Sequence, residues 1–540
     1  MSKKKTIVIV GLVLAAVITA LLWFNSVYLI LNGHIYARTE TNVVLAGESL
    51  PEHEKLQELN DLAVLDIRAI NVSSDEYKML RQALPECEIL WSVPFGDGRH
   101  DNAASEVSVK TLAEADIAML QYFPNLEIID AQGCTDYPVL LMIAEGYPDL
   151  QIRYTVTVGT QVLREDVTEV TIADGEAEVL LAALPMLSKL EAVDASECKE
   201  YATLAEMCVS YPELDVHYDV YIGDKPYSGT AETLTLADAD TKELSQKLPY
   251  FPNLTEVVLT GNVPENEQIY DLMCRFPQLV FDWEFTLFGV STRSTAKELN
   301  LSNIPMENTD AVEDALKYFY CLERVEMCEC GIGSLEMDAL GKRHPQIRFV
   351  WSFPIGTGTL RTDATAFIPF KVGYDINRPM RDSETWELKY CIDMECLDLG
   401  HMRMEDISFL HYMPKLKFLI LADTEAENYE VVAELKELVY LELFISPFSD
   451  VELLLGLKKL EALNIGWTDL KNWELLKEMT WLKRLWVARV GATYEELKEI
   501  RDALPDTYVY IDSLHATEGG WRNFDLYREM RDRLGMFYME

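Results

Sequence analysis

LEALNIGWT, residues 460–468, carries apolar side chains at its first, fourth and sixth positions, and the same nine-residue frame begins at Met394, Leu416, Leu438 and Leu482. Leu397, Leu419, Leu441, Leu463 and Leu485 consequently stand 22 residues apart without a slip. Each is followed two positions later by another aliphatic residue: Leu399, Leu421, Leu443, Ile465 and Val487. Alternation over so short a stretch reads as a strand, and its unbroken recurrence sets each strand beside the next with the same face inward. A second apolar set, Leu410, Val432, Leu454 and Leu476 followed by Met413, Leu435, Leu457 and Met479, fills the other side of each coil. No single globular core needs such regularity, whereas a solenoid does, because every coil must present the same apolar edge to its neighbours.

These units, over 390–511, resemble bacterial leucine-rich repeats of the internalin-like type. The resemblance implies an α/β leucine-rich repeat solenoid with a parallel β-sheet on its concave face and positions one, four and six buried. The ninth position, usually asparagine in that family, here holds Met402, Thr424, Ser446, Thr468 and Val490. Without a continuous asparagine ladder to bond the turn backbones, the turn is expected to be less regular than the family pattern.

The same grammar recurs, stretched, over 42–356. Leu65, Ile129, Val193, Val257 and Val325 are spaced by 64, 64, 64 and 68 residues, and LEIIDAQGC (126–134), LEAVDASEC (190–198), LTEVVLTGN (254–262) and LERVEMCEC (322–330) keep the nine-residue frame. Five divergent units of three coils each are expected. Their first strands include Val43, Val107, Val170, Leu234 and Leu299, and their third strands follow Pro85, Pro148, Pro212, Pro277 and Pro345. Helical patterns end at or before prolines, whose ring removes a backbone donor. Every third strand runs on to a glycine, Gly96, Gly159, Gly223, Gly289 or Gly356, which predicts a β-hairpin in place of a helix. The ninth position holds Cys134, Cys198, Asn262 and Cys330. Cysteine is the family's substitute for asparagine, so these thiols are expected to be buried, reduced and bonded to turn carbonyls.

Residues 357–389 break both periods and read as an irregular joint. Residues 512–540 read as a cap for the last coil, with GGWRNFDLYREMRDRLGMFYM (519–539) forming a loop and an amphipathic helix. That segment also looks like C-terminal stretches of surface leucine-rich repeat proteins from gut-type Gram-positive bacteria. At the other end, a basic flank, 1–5, precedes an uncharged stretch, 6–31, long enough to cross a hydrocarbon core as one transmembrane helix. No small-residue cleavage site closes it, so an uncleaved membrane anchor is expected, with the flank cytoplasmic and the repeats outside; a cleaved signal peptide is the alternative. No cysteine follows the apolar run closely enough for a lipoprotein anchor.

Ninety acidic against 47 basic residues give a formal charge of -43. Such a balance excludes binding of nucleic acid or anionic lipid through the bulk surface. HExxH, GxSxG and GxxxxGKS motifs are missing from the sequence. The nearest thing to a catalytic cluster, GDGRHD (96–101), falls where a hairpin turn belongs and reads as a solvated turn. Cys328 and Cys330, with Cys321 nearby, lack a second pair at zinc-site spacing. Neither catalysis, metal nor cofactor is expected, with an envelope hydrolase centred on GDGRHD as a remote alternative.

Two surfaces remain as candidates for binding. Position five of the long units holds Asp66, Asp130, Asp194, Val258 and Glu326. Successive members lie three coils, about 14 Å, apart. That is too far to share a calcium ion, but enough for an acidic stripe. In the 22-residue array, positions three, five, seven and eight place Phe418, Tyr440, Glu442, Phe444, Trp467, Arg484, Trp486 and Arg489 on the concave face. Aromatic and arginine side chains that a solenoid leaves unburied are the usual ingredients of a binding hot spot. The expected function is extracytoplasmic recognition of a protein or peptide ligand by a membrane-anchored protein through this patch. A cell-envelope scaffold binding wall glycans is the alternative.

Overall fold

The computed structural model describes residues 3–47, 49–512, 515 and 517–536. Residues 513, 514, 516 and 537–540 of the expected cap lie outside them. The chain forms two compact units, Met1–Leu234 with Lys242–Thr255, and Thr235–Thr241 with Glu256–Glu540.

In the second unit, seven strands build one parallel sheet: Ala366–Phe367, Cys396–Asp398, Phe418–Ile420, Tyr440–Glu442, Ala462–Asn464, Arg484–Trp486 and Tyr508–Tyr510. Leu397, Leu419, Leu441, Leu463, Leu485 and Val509 pair in register across it, and the five leucines are fully buried. The opposite side of each coil is a short 3₁₀ segment, Ser408–Tyr412, Tyr429–Glu434, Val451–Leu454 or Trp473–Glu478, which buries Leu410, Val432, Leu454 and Leu476. This is an α/β leucine-rich repeat solenoid, as the 22-residue period predicts.

Coil length selects the element opposite the strand. Coils of 22 residues close with 3₁₀ turns, whereas Leu485 to Val509 spans 24 and accommodates the ten-residue α-helix Tyr494–Ala503. The long units follow the same rule. Leu65 to Ile89, Ile129 to Ile152 and Val193 to Val216 span 24, 23 and 23 residues and carry the ten-residue helices Ser74–Ala83, Tyr137–Gly146 and Tyr201–Ser210. The third coil is shorter: Ile89 to Val107, Ile152 to Val170 and Phe349 to Phe367 each span 18 residues, too few for a helix. Hairpins fill it, as in Ser92–Phe95 with Gly98–Asp101, Thr155–Val158 with Gln161–Arg164, and Asp219–Ile222 with Lys225–Ser228. Gly96 opens its turn at φ 61°, and a Cβ there would meet the Thr111 carbonyl at 2.6 Å. Glycine is therefore required.

An aromatic residue marks where each third strand leaves the parallel ladder: Trp91, Tyr154, Tyr218, Trp283 and Trp351. For the three tryptophans, the side chain of the residue after the return strand accepts the backbone N–H. Asn102 Oδ1, Ser294 Oγ and Thr362 Oγ1 accept from the N–H groups of Trp91, Trp283 and Trp351 at 2.9, 3.3 and 3.2 Å. Those three polar side chains are buried because the bond they satisfy is buried.

Two boundaries differ from the sequence reading. The N-terminal helix is Lys3–Val27, and residues 28–31, assigned above to the membrane span, are instead the strand Tyr28–Leu31, paired antiparallel with His34–Ala37. The apolar composition runs on through the strand, so composition alone hides the change. The joint is narrower than 357–389, because Gly358–Arg361 is the return strand of the fifth hairpin and Ala366–Phe367 opens the seven-stranded sheet.

Candidate functional site

The expected turn irregularity is not found. Position eight of all five short repeats, His401, Asp423, Ile445, Trp467 and Arg489, adopts the left-handed conformation, with φ between 52° and 65°. The conformation turns the N–H of His401, Asp423, Ile445 and Trp467 toward the next coil, where Ala422, Phe444, Gly466 and Ala488 carbonyls accept at 2.8 to 3.2 Å. Hydroxyls replace asparagine at position nine: Thr424, Ser446 and Thr468 donate to the Leu421, Leu443 and Ile465 carbonyls at 2.8, 2.5 and 2.6 Å. Position thirteen alternates aspartate and asparagine, Asp406, Asn428, Asp450 and Asn472, and bonds neighbouring repeats in pairs. Asn428 and Asn472 each accept a backbone N–H, from Ile407 and Val451, and donate to Asp406 and Asp450, one repeat earlier.

The large patch residues stand on the sheet face away from the leucine core, but they are not open. Phe418, Tyr440, Glu442, Phe444 and Trp486 are buried, and Arg484 is half-buried. Their cover is the C-terminal segment, whose Trp521, Tyr527, Met530 and Leu534 join them in one apolar cluster, with Phe524 packed against it. That segment crosses the sheet face from Trp486, whose Nε1 donates to the Glu518 carbonyl at 2.8 Å, to Glu395, which Arg533 meets at 2.7 Å. It therefore caps the open sheet face, where the sequence reading placed a ligand. The amphipathic helix is present as Asp525–Arg533, but its docking position was missed. A usable signal was the sheet face itself: Cys396, Phe418, Tyr440 and Ala462 make a nearly continuous apolar row at position three.

At the centre of this interface Glu442 has no solvent exposure. Its Oε1 accepts from Trp521 Nε1 at 2.6 Å and from the Tyr440 hydroxyl, while Oε2 has no hydrogen-bond partner among the described residues. Burial pushes Glu442 above the ordinary carboxylate range, against the pull of Arg522 and of the two donated bonds.

What stays accessible is the row at position eight. Ile445 is 45% exposed, Arg489 is exposed, and Trp467 is partly so. The Arg489 guanidinium lies 4.3 Å from the Trp467 ring centre. His401 Nδ1 and Asp423 Oδ2 are 2.8 Å apart, with Arg403 also on Asp423. Of the eight patch residues, only Trp467 and Arg489 belong to this ridge.

The acidic stripe is partly neutralised. Arg68 bonds Asp66 at 2.7 Å and Asp101 at 2.5 Å. Arg324 and Arg361 bond Glu326 at 2.8 and 3.0 Å and share Asp363, which their hydrogen bonds hold down to about 2. Asp130 and Asp194 instead accept from their own loops, at Gln132 and Ser196.

In the GDGRHD segment, Gly96 and Asp97 make the hairpin turn, and Arg99, His100 and Asp101 alternate along the return strand. Asp101 faces Arg68 while His100 packs edge-on to Phe95, so the two form no catalytic pair. All ten cysteines are free. Cys330 Sγ donates to the Leu301 carbonyl at 3.2 Å, as expected of a turn thiol. Cys134 and Cys198 do not bond turn carbonyls: each donates to a carboxylate, Asp136 or Glu200, at 3.7 Å, because the acidic side chain two residues on reaches into the turn first. Asp174, Cys198 and Glu200 bring three possible metal donors within 4.8 Å. Glu200 Oε2 already accepts the Gly175 and Ala177 N–H groups, and Asp174 that of Lys199, which gives both carboxylates a structural role.

No protein-family model matches the chain, and no curated protein does. Among solved structures, it aligns with internalin C2 from Listeria monocytogenes at 16% identity over 40% of this chain and 80% of that one, TM-score 0.22. An internalin F from the same organism aligns at 12% over 89% and 91%, TM-score 0.22. A leucine-rich repeat protein from Leptospira interrogans aligns at 13% over 87% and 95%, TM-score 0.24. Scores of this size carry no argument, so the fold assignment rests on the repeat period and the strand register.

Proposed function

We propose that the chain is a membrane-anchored, extracytoplasmic leucine-rich repeat protein that binds a protein or peptide ligand along the position-eight ridge. The observation that carries this reading is the backbone at Ile445, Trp467 and Arg489. A side chain in the left-handed region costs about 1–2 kcal/mol, most for a β-branched residue. Glycine serves the same position in two long units, at Gly133 and Gly261 with φ 86° and 73°. Large side chains kept against that preference, and exposed, point to a task for the side chains. The ridge offers an apolar centre, a cation and a His401–Asp423–Arg403 polar end, which suits a peptide with apolar and acidic groups. Arg489 already covers one face of Trp467, which disfavours sugar stacking there and hence the wall-glycan alternative.

The anchor reading rests on Ile9–Val27, 19 residues of mean hydropathy 2.2, preceded by lysines at 3–5. Retention of the intact N-terminus in membranes after an alkaline wash supports it; recovery of a soluble chain lacking that segment sinks it. For the ridge, ligand capture by an ectodomain starting at Tyr28, which keeps the first hairpin, is compared with Ile445→Gly, Trp467→Ala and Arg489→Glu. The alanine and charge variants should weaken capture by about 2 kcal/mol, roughly thirtyfold. Unchanged capture by all three would place the ligand elsewhere, and retention of the wild type on wall material alone would favour the scaffold.

A further inference from the structure

The helix Lys3–Val27 passes directly into the strand Tyr28–Leu31 with no linker. The junction is fastened. Arg38 donates its backbone N–H to the Val27 carbonyl at 2.9 Å and its Nε–H to the Asn25 carbonyl at 2.7 Å, satisfying two of the orphan acceptors at the helix end. The Tyr28 ring packs 5.1 Å from Phe24 and 6.4 Å from Trp23. The hairpin therefore cannot swing away from the helix without breaking these contacts.

One face of that hairpin is committed to the first coil, where Leu29 and Leu31 share a core with Val43 and Leu45. The other face shows Tyr28 and Ile30 opposite Ala37 and Ile35, and Ile30 and Ile35, directly paired, are 54% and 59% exposed. The chain carries no Asp, Glu, Lys or Arg from residue 6 to residue 37, so this face is uncharged in a protein with 90 acidic residues. The span Ile9–Val27 is about 28 Å long as a helix, close to the hydrocarbon thickness of about 30 Å, so the hairpin starts within the headgroup layer. Trp23, Phe24 and Tyr28 then sit at the depth where aromatic belts form.

We propose that the hairpin Tyr28–Leu31 with His34–Ala37 is a membrane-interface element. Its Tyr28, Ile30, Ile35 and Ala37 face rests in the outer headgroup layer and seats the first coil on the bilayer. The proposal depends on the anchor reading above, and the test separates the two. A benzophenone amino acid is placed at Leu22, Ile35 or Val162 of the full chain, reconstituted in phosphatidylcholine vesicles carrying an alkyne-tagged lipid. Val162, 66% exposed on the Thr155–Val158/Gln161–Arg164 hairpin, reports a comparable apolar strand residue outside the N-terminal segment. Lipid adducts are expected at Leu22 and Ile35, with Ile35 about tenfold above Val162. If Leu22 labels lipid but Ile35 matches Val162, or gives only dimers of the chain, the interface element is wrong and the anchor survives. If Leu22 gives no lipid adduct, the anchor fails and takes this proposal with it.

Discussion

Trp521 donates its indole N–H to Glu442 Oε1 at 2.6 Å, and neither side chain has any solvent exposure. Seventy-nine residues of sequence separate the pair, which joins the C-terminal segment to the middle strand of the seven-stranded sheet. The pair places a buried carboxylate, which burial raises above its ordinary range, at the contact that holds the segment.

The first expectation follows from that carboxylate. Glu442 is raised above its ordinary 4.5 in the closed cap, where Tyr440, Trp521, Arg522, Tyr527 and Asp398 surround it, and it returns to about 4.5 when the cap opens. A group raised in the closed form favours closure fully below 4.5 and loses that contribution as pH rises through the closed-state value. Amide exchange of residues 519–536 should therefore speed up as pH rises from about 4.5, after correction for intrinsic exchange rates. Glu442→Gln keeps the acceptor for Trp521 and should flatten this dependence. An unchanged profile in the variant would acquit Glu442.

Trp521→Ala removes the largest side chain of the cap, which packs at 4.9 Å from Trp486 and 5.3 Å from Tyr440. Its loss should weaken docking by about 3–5 kcal/mol. The leucine ladder lies on the other side of the sheet, so limited proteolysis should cut near the C-terminus while the repeats remain resistant. Simultaneous loss of both would show that cap and solenoid unfold as one.

Thiol chemistry gives a third expectation. Burial raises Cys134, Cys198 and Cys330, whereas Cys274 and Cys321 are exposed. Brief alkylation of the native protein, read by mass spectrometry, should label the exposed pair at least about tenfold faster, since the thiolate is the reactive form. Fast labelling of Cys330 would contradict its bond to the Leu301 carbonyl.

The solenoid was legible because its determinants are local and repeated. Leu397, Leu419, Leu441, Leu463 and Leu485 need only the coil before and after, so the 22-residue period fixes both the element and its neighbour. The 18-residue hairpin coils were readable for the same reason, through a glycine at a fixed offset. The regular turn at position eight is not legible from asparagine content, because backbone conformation and the Thr424, Ser446 and Thr468 hydroxyls do the same bonding.

The sequence by itself determined the repeat, the strand register, the apolar N-terminal helix and the amphipathic character of residues 525–533. Only the tertiary structure decided which exposed-looking positions are surfaces. Tyr440 and Trp486 obey the repeat's rule by pointing away from its core, yet they are buried by a segment tens of residues distant. Periodicity reports which way a side chain leaves the backbone; it carries no information about what non-repeating chain later folds against it. The hydrophobic effect acts on whatever apolar area is nearest in space, so the row from Cys396 to Trp486 found the C-terminal helix, and the ridge at Ile445, Trp467 and Arg489 was left to solvent.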